Sequence, residues 1–105
     1  MKKYYDKLVR DKIPNIIKEA GKNAQVRPVS PEKFKAYALT KLREEVEEFI
    51  DNPCAEEAAD ILEILYTICE HHDVRPLTIE TERISKRVSK GAFDSALILE
   101  WVDED

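Results

Sequence analysis

An all-α fold is the expectation for this chain, and three observations carry it. Apolar residues step by three and four along two long stretches, Phe34 to Ile50 and Cys54 to Cys69. A small polar residue followed by proline stands ahead of each, Ser30-Pro31 and Asn52-Pro53, the pairing that starts helices. Only two glycines occur in 105 residues, too few for the tight turns an all-β chain needs.

The opening KKYYDKLVRDKIP follows no clear period. Pro14 can sit in a first helical turn, and Pro14 to Ala20 reads as a short helix with Ile13, Ile16 and Ile17 as its apolar contacts. Gly21 is a natural stop. Lys22 to Val29 reads as extended, with Pro28 against helix. The first long helix then runs from Ser30-Pro31 to about Ile50. Asp51-Asn52-Pro53 breaks it, with Asn52 expected as the N-cap and Pro53 as the first residue of a second long helix ending near His72. So short a connection makes the two helices antiparallel neighbours. Asp73 to Pro76 reads as a turn, and a less buried helix spans about Thr78 to Lys90, ended by Gly91. The tail AFDSALILEWV is apolar enough to dock on a core or a partner, with a strand expected over Ala96 to Val102.

Size sets the scale at one domain spanning residues 1–105. A charged fraction of 37% beside a hydrophobic fraction of 43% fits a protein of amphipathic helices rather than a disordered chain. No segment approaches membrane-spanning length, so no membrane partner and a cytoplasmic location are expected. A net charge of −5 argues against a nucleic-acid groove. Cys54 and Cys69 stand roughly 22 Å apart along one helix and are read as reduced thiols. Cys69, His71 and His72 match no standard zinc spacing; the histidines suit a helix C-terminus. Against the acidic middle and tail stand two basic clusters, Lys2 to Lys12 and Arg83 to Lys90.

The chemistry lies in two pairs of acids. Glu45 and Glu48 belong to the first long helix, Glu57 and Asp60 to the second. Each pair is three residues apart, so its carboxylates leave one face a turn apart. Acids at helical spacing are ordinarily a solvated face paired with lysine. Here both pairs lie in or beside the apolar stripe, where charge is costly without a partner. The short hinge also turns the pairs toward each other. A hard divalent cation, Mg²⁺ with Mn²⁺ as a substitute, is the natural reason to gather four carboxylates.

Glu44-Glu45-x-x-Glu48 followed by Glu57-x-x-Asp60 resembles the EExxE…ExxD signature of the all-α, MazG-like nucleoside triphosphate pyrophosphohydrolases. Tyr5 to Pro14, YDKLVRDKIP, is similar to the opening of a small branch related to phosphoribosyl-ATP pyrophosphohydrolase, and Lys86-x-x-x-Lys90-Gly91-x-Phe93 to its closing element. Lys90 stands where arginine is frequent, and the gap from Glu48 to Glu57 is shorter than in many members. The resemblance implies a four-helix-bundle core completed by oligomerisation, as a homodimer or homotetramer. It implies Mg²⁺-dependent cleavage of a nucleoside triphosphate, canonical or modified, to the monophosphate and pyrophosphate, in a house-cleaning role. Glu45, Glu48, Glu57 and Asp60 would hold the metal. Glu44 or Glu48 would take a proton from the attacking water, which makes Glu44, Glu45 and Glu48 the catalytic set. Lys7, Arg10, Lys12, Lys41, Lys86 and Lys90 would neutralise phosphate. Tyr4, Tyr5, Tyr37, Phe93 and Trp101 are candidates to stack on a base, though each suits packing as well. Two other functions fit the same residues: the phosphoribosyl-ATP reaction of histidine synthesis, and a non-catalytic nucleotide-binding or scaffold bundle.

Overall fold

The computed structural model describes residues 1–104, and among them there are four helices and no strand: α1 (Ile13–Glu19), α2 (Pro31–Asp51), α3 (Ala55–His71) and α4 (Pro76–Lys90). They fall into two units, one from Met1 to Asp73 and one from Val74 onward. Among the described residues no helix is long and apolar enough to cross a membrane.

In the first unit α2 and α3 pack together. They run antiparallel, as contacts at both ends show. Phe34, at the start of α2, stacks on His71, at the end of α3, with ring centres 4.1 Å apart. At the other end Glu48 meets Glu57 across the hinge. Ala38 (0% exposed) and Ile64 (8%) are the buried apolar side chains of this contact. The alanine lets the two backbones approach, and the isoleucine fills the space beside it. Val46, Ile50 and Leu62 belong to the same periodic stripes but remain exposed. An apolar stripe wider than one helix-to-helix seam leaves its flanks uncovered by a single neighbour.

Local chemistry accounts for the helix ends. α1 closes in a Schellman motif: the Lys22 amide donates to Ile17 O at 3.1 Å, the Gly21 amide to Lys18 O at 3.0 Å, and Gly21 takes φ 78°. The hinge differs in detail from the sequence expectation. Asn52 caps the C-terminus of α2, its amide donating to Glu48 O at 3.0 Å, and Cys54 is the N-cap of α3. The ring of Pro53 keeps Asn52 out of helical geometry (φ −147°, ψ 80°), so proline here ends one helix rather than starting the next. Both cysteines are free and half-buried.

In the second unit α4 starts at Pro76, two residues earlier than expected, because proline fits the first turn and Arg75 is extended before it. Gly91 ends the helix at φ 88°. The strand expected over Ala96 to Val102 does not form. A lone strand has no ladder to satisfy its amides and carbonyls. Phe93, Leu97, Ile98, Leu99 and Trp101 are all exposed.

Ile64→Ala should cost about 2–4 kcal/mol, because few other apolar side chains share its load. Val26→Ala, on an exposed extended segment, should stay within about 0.5 kcal/mol. Urea unfolding followed by helical circular dichroism checks both, and equal effects would contradict the placement of the core.

Candidate metal centre

Glu45 and Glu48 come from neighbouring turns of α2 close to the hinge; Glu57 and Asp60 come from the first two turns of α3 just past it. One carboxylate oxygen from each lies within 4.8 Å of the others. Glu45 is buried, with 6% exposure, Glu57 and Asp60 are half-buried, and Glu48 is exposed. The set therefore closes on the protein side and opens to solvent through Glu48.

Two carboxylate oxygens of these residues find no partner within the protein. Glu45 Oε2 and Glu57 Oε2 are buried without a hydrogen-bond partner. Such a carboxylate oxygen carries a desolvation penalty that a proton, a water or a cation can offset. Four oxygen donors with two unpartnered buried atoms fit a hard divalent cation, which prefers carboxylate oxygen and keeps several waters when it is magnesium.

The cations around the cluster come from two places. Lys41, one turn before on α2, reaches Glu45 Oε1 at 3.2 Å and Glu44 Oε1 at 3.5 Å. The opening segment supplies the others. Lys7 Nζ donates to Glu44 Oε1 at 3.0 Å, and Arg10 Nη2 donates to Asp60 Oδ1 at 2.7 Å, with Nη1 3.8 Å from Glu63. The segment thus makes one ion pair with α2 and two with α3. It turns at Asp6, whose φ of 45° is a left-handed value aspartate tolerates. Asp6 accepts from Tyr37 at 2.9 Å and from Arg27 at 3.1 Å. A cleft of about 240 Å³ lies between the segment and α2, lined by Asp6, Lys7, Tyr37, Thr40, Lys41 and Glu44.

Burial pushes the Glu45 carboxyl above the usual glutamate range; Lys41 pulls it back by hydrogen bond and charge, and neighbouring Glu48 pushes it up again. Burial acts on Glu44 in the same direction, but the Lys7 hydrogen bond and the Lys41 charge outweigh it and hold Glu44 below its ordinary value. Adjacent residues in one helix thus titrate in opposite directions. Glu44 is held ionised, while Glu45 is charged only at a cost.

Of the residues singled out in the sequence, Glu44, Glu45, Glu48, Glu57, Asp60, Lys7, Arg10 and Lys41 gather here. Lys12 is the exposed N-cap of α1. Lys86 and Lys90 belong to α4 in the second unit, where Lys86 borders a shallow groove with Thr78, Ile79 and Arg83. Helical spacing gives no sign of the Asp6–Tyr37–Arg27 network, nor of Arg10 pairing with Asp60, because these partners are 10 to 50 positions apart in sequence. No family model, curated protein or solved structure matches the chain.

Glu45→Gln removes a buried charge and should stabilise the metal-free protein by about 1–2 kcal/mol at neutral pH. The sign follows from the raised carboxyl: the folded chain binds this proton more readily than the unfolded one, so the Glu45 contribution worsens as pH rises through its folded pKa. The advantage of Glu45→Gln should therefore shrink as pH falls toward the ordinary glutamate value of about 4.3. Denaturant melts of both proteins in chelator across that range check it; an advantage independent of pH would contradict the burial argument. Magnesium should raise the melting temperature of the wild type and leave that of Glu45→Gln nearly unchanged.

Proposed function

We propose that this chain is a Mg²⁺-dependent nucleoside triphosphate pyrophosphohydrolase, related to the MazG-like enzymes, that releases pyrophosphate and a nucleoside monophosphate. The observation that carries the reading is the four-carboxylate cluster with two buried, unpartnered oxygens. A divalent ion held by Glu45, Glu48, Glu57 and Asp60 would supply Lewis acidity and a bound water of lowered pKa.

The chain's own residues do the rest. Between the two candidates for accepting the water's proton, the geometry favours Glu48. Glu44 is engaged by Lys7 and Lys41 and is held ionised below its ordinary range, which makes it a poor base. Glu48 is the exposed member of the cluster, on the side where water and substrate arrive. Lys41 and Glu44 border both the cluster and the cleft under the opening segment, so a polyphosphate seated at the cluster extends naturally toward Lys7. Lysine ammonium groups there neutralise phosphate oxygens as charge builds on the leaving pyrophosphate. Phosphate-neutralising roles for Lys12, Lys86 and Lys90 rest on the resemblance alone.

Oligomerisation is part of the same proposal. A hairpin whose buried apolar residues are Ala38 and Ile64, with Val46, Ile50 and Leu62 exposed, has too small a core to stand by itself. A second copy covering that face would build an antiparallel bundle with the acids inside it. Light scattering on a sizing column should give a dimer or tetramer; a stable monomer would contradict it.

A second reading has its own support. Lys7, Arg10 and Lys41 already neutralise part of the cluster, as expected if the acids merely fasten the opening segment to the hairpin in a non-catalytic bundle. Glu57→Gln separates the two. For an enzyme, turnover in a magnesium-dependent pyrophosphate-release assay should fall about 100-fold or more, since even an outer-shell partner of a metal ligand is worth about 10–100-fold, while the helical spectrum stays unchanged. A scaffold should keep its properties or gain stability. The same assay run over canonical and modified nucleotides and phosphoribosyl-ATP identifies the substrate. Absence of pyrophosphate release from all of them would defeat the enzymatic reading.

A further inference from the structure

The Arg10–Asp60 pair has a consequence for the same centre. We propose that Arg10 is a displaceable counter-cation that sets the affinity and selectivity of the metal site: it occupies Asp60 until a divalent ion arrives, and is then free for substrate phosphate. This rests on the metal-centre reading above and goes beyond it.

Three observations lead there. First, the pair is intimate and discriminating. Arg10 Nη2 lies 2.7 Å from Asp60 Oδ1, an oxygen of one of the four clustered carboxylates, whereas Lys7 binds Glu44, outside the four. A guanidinium and a divalent ion on one carboxylate repel each other, so each weakens the binding of the other. Second, charge counting favours exchange. With Arg10 in place the four ionised carboxylates and Lys41 stand at −2; exchanging Arg10 for a divalent ion brings this to −1, whereas a monovalent ion would leave it at −2. A monovalent ion brings no more charge than the guanidinium it would have to displace, and lacks its directed hydrogen bond. Arg10 therefore favours divalent over monovalent cations.

Third, Arg10 can leave at little cost. Its side chain is half-exposed, and it ends a ten-residue opening segment without helix or strand, in which every residue except Leu8 is exposed. The segment is fastened to the hairpin through side-chain contacts of Asp6, Lys7 and Arg10. Once released, the guanidinium stands beside the ion with its planar fork open, the group best suited to bind a phosphate through two oxygens. The metal would then bind before the nucleotide, because it frees the phosphate ligand.

Direct Mn²⁺ titration by calorimetry, without nucleotide, tests this on the wild type, Arg10→Gln, Arg10→Lys and Glu57→Gln, with folding checked by circular dichroism. Arg10→Gln should bind Mn²⁺ about 3- to 10-fold more tightly than the wild type and lose discrimination against potassium. Arg10→Lys, which keeps the charge, should stay near the wild type. If Mn²⁺ binds the wild type and Glu57→Gln abolishes it, but Arg10→Gln binds equally or more weakly, the metal centre stands and the counter-cation role is overturned. If the wild type binds no Mn²⁺, both fall.

Discussion

Mutual repulsion among carboxylates at the α2–α3 hinge is the constraint on which the rest of this structure depends. Two antiparallel helices joined by three residues would ordinarily put apolar side chains, or nothing charged, where they converge. This pair puts Glu45, Glu48, Glu57 and Asp60 there, with one of them buried. Burying a carboxylate without a full set of partners is costly in any protein. The surrounding features are largely answers to that cost: Lys41 one turn away, the opening segment folded back across both helices, and the half-open geometry that leaves Glu48 in solvent.

The electrostatics are asymmetric in a way that suits chemistry. Glu44 and Glu45 are sequence neighbours, yet one is held ionised by two lysines and the other is pushed toward its neutral form by burial. The first acts as a fixed anion that orders Lys7 and Lys41 over the cleft. The second carries a charge that burial makes costly and that Lys41 offsets in part. Pushing two nearby carboxyls in opposite directions is a common way for one site to separate structural and reactive roles.

The apolar residues describe a different incompleteness. Ala38 and Ile64 make the seam, while Val46, Ile50 and Leu62 on the hairpin and Phe93 to Val102 in the tail stay exposed. Exposed apolar surface of this extent is what supports the proposed oligomer. The acids sit at the hinge end of the hairpin and the Phe34–His71 stack at the other, so the polar and packing functions occupy opposite ends of the same helix pair.

Much of this was legible in the residues. The three-and-four spacing, the Ser30-Pro31 start and the glycines at 21 and 91 determined the helices, because helix formation and termination are local. The i, i+3 spacing of the acids, with a short hinge between the pairs, determined that four carboxylates would share one place, because a tight helical reversal leaves little freedom. Other features needed the folded chain. The Asn52 cap depended on how Pro53 constrains its neighbour, and the tail formed no strand for want of an edge to pair with. Tertiary structure alone decided that an aperiodic opening segment lies across the hairpin, placing Lys7 on Glu44 and Arg10 on Asp60. Such pairs span 37 and 50 positions and follow no period, so no local rule of the chain encodes them.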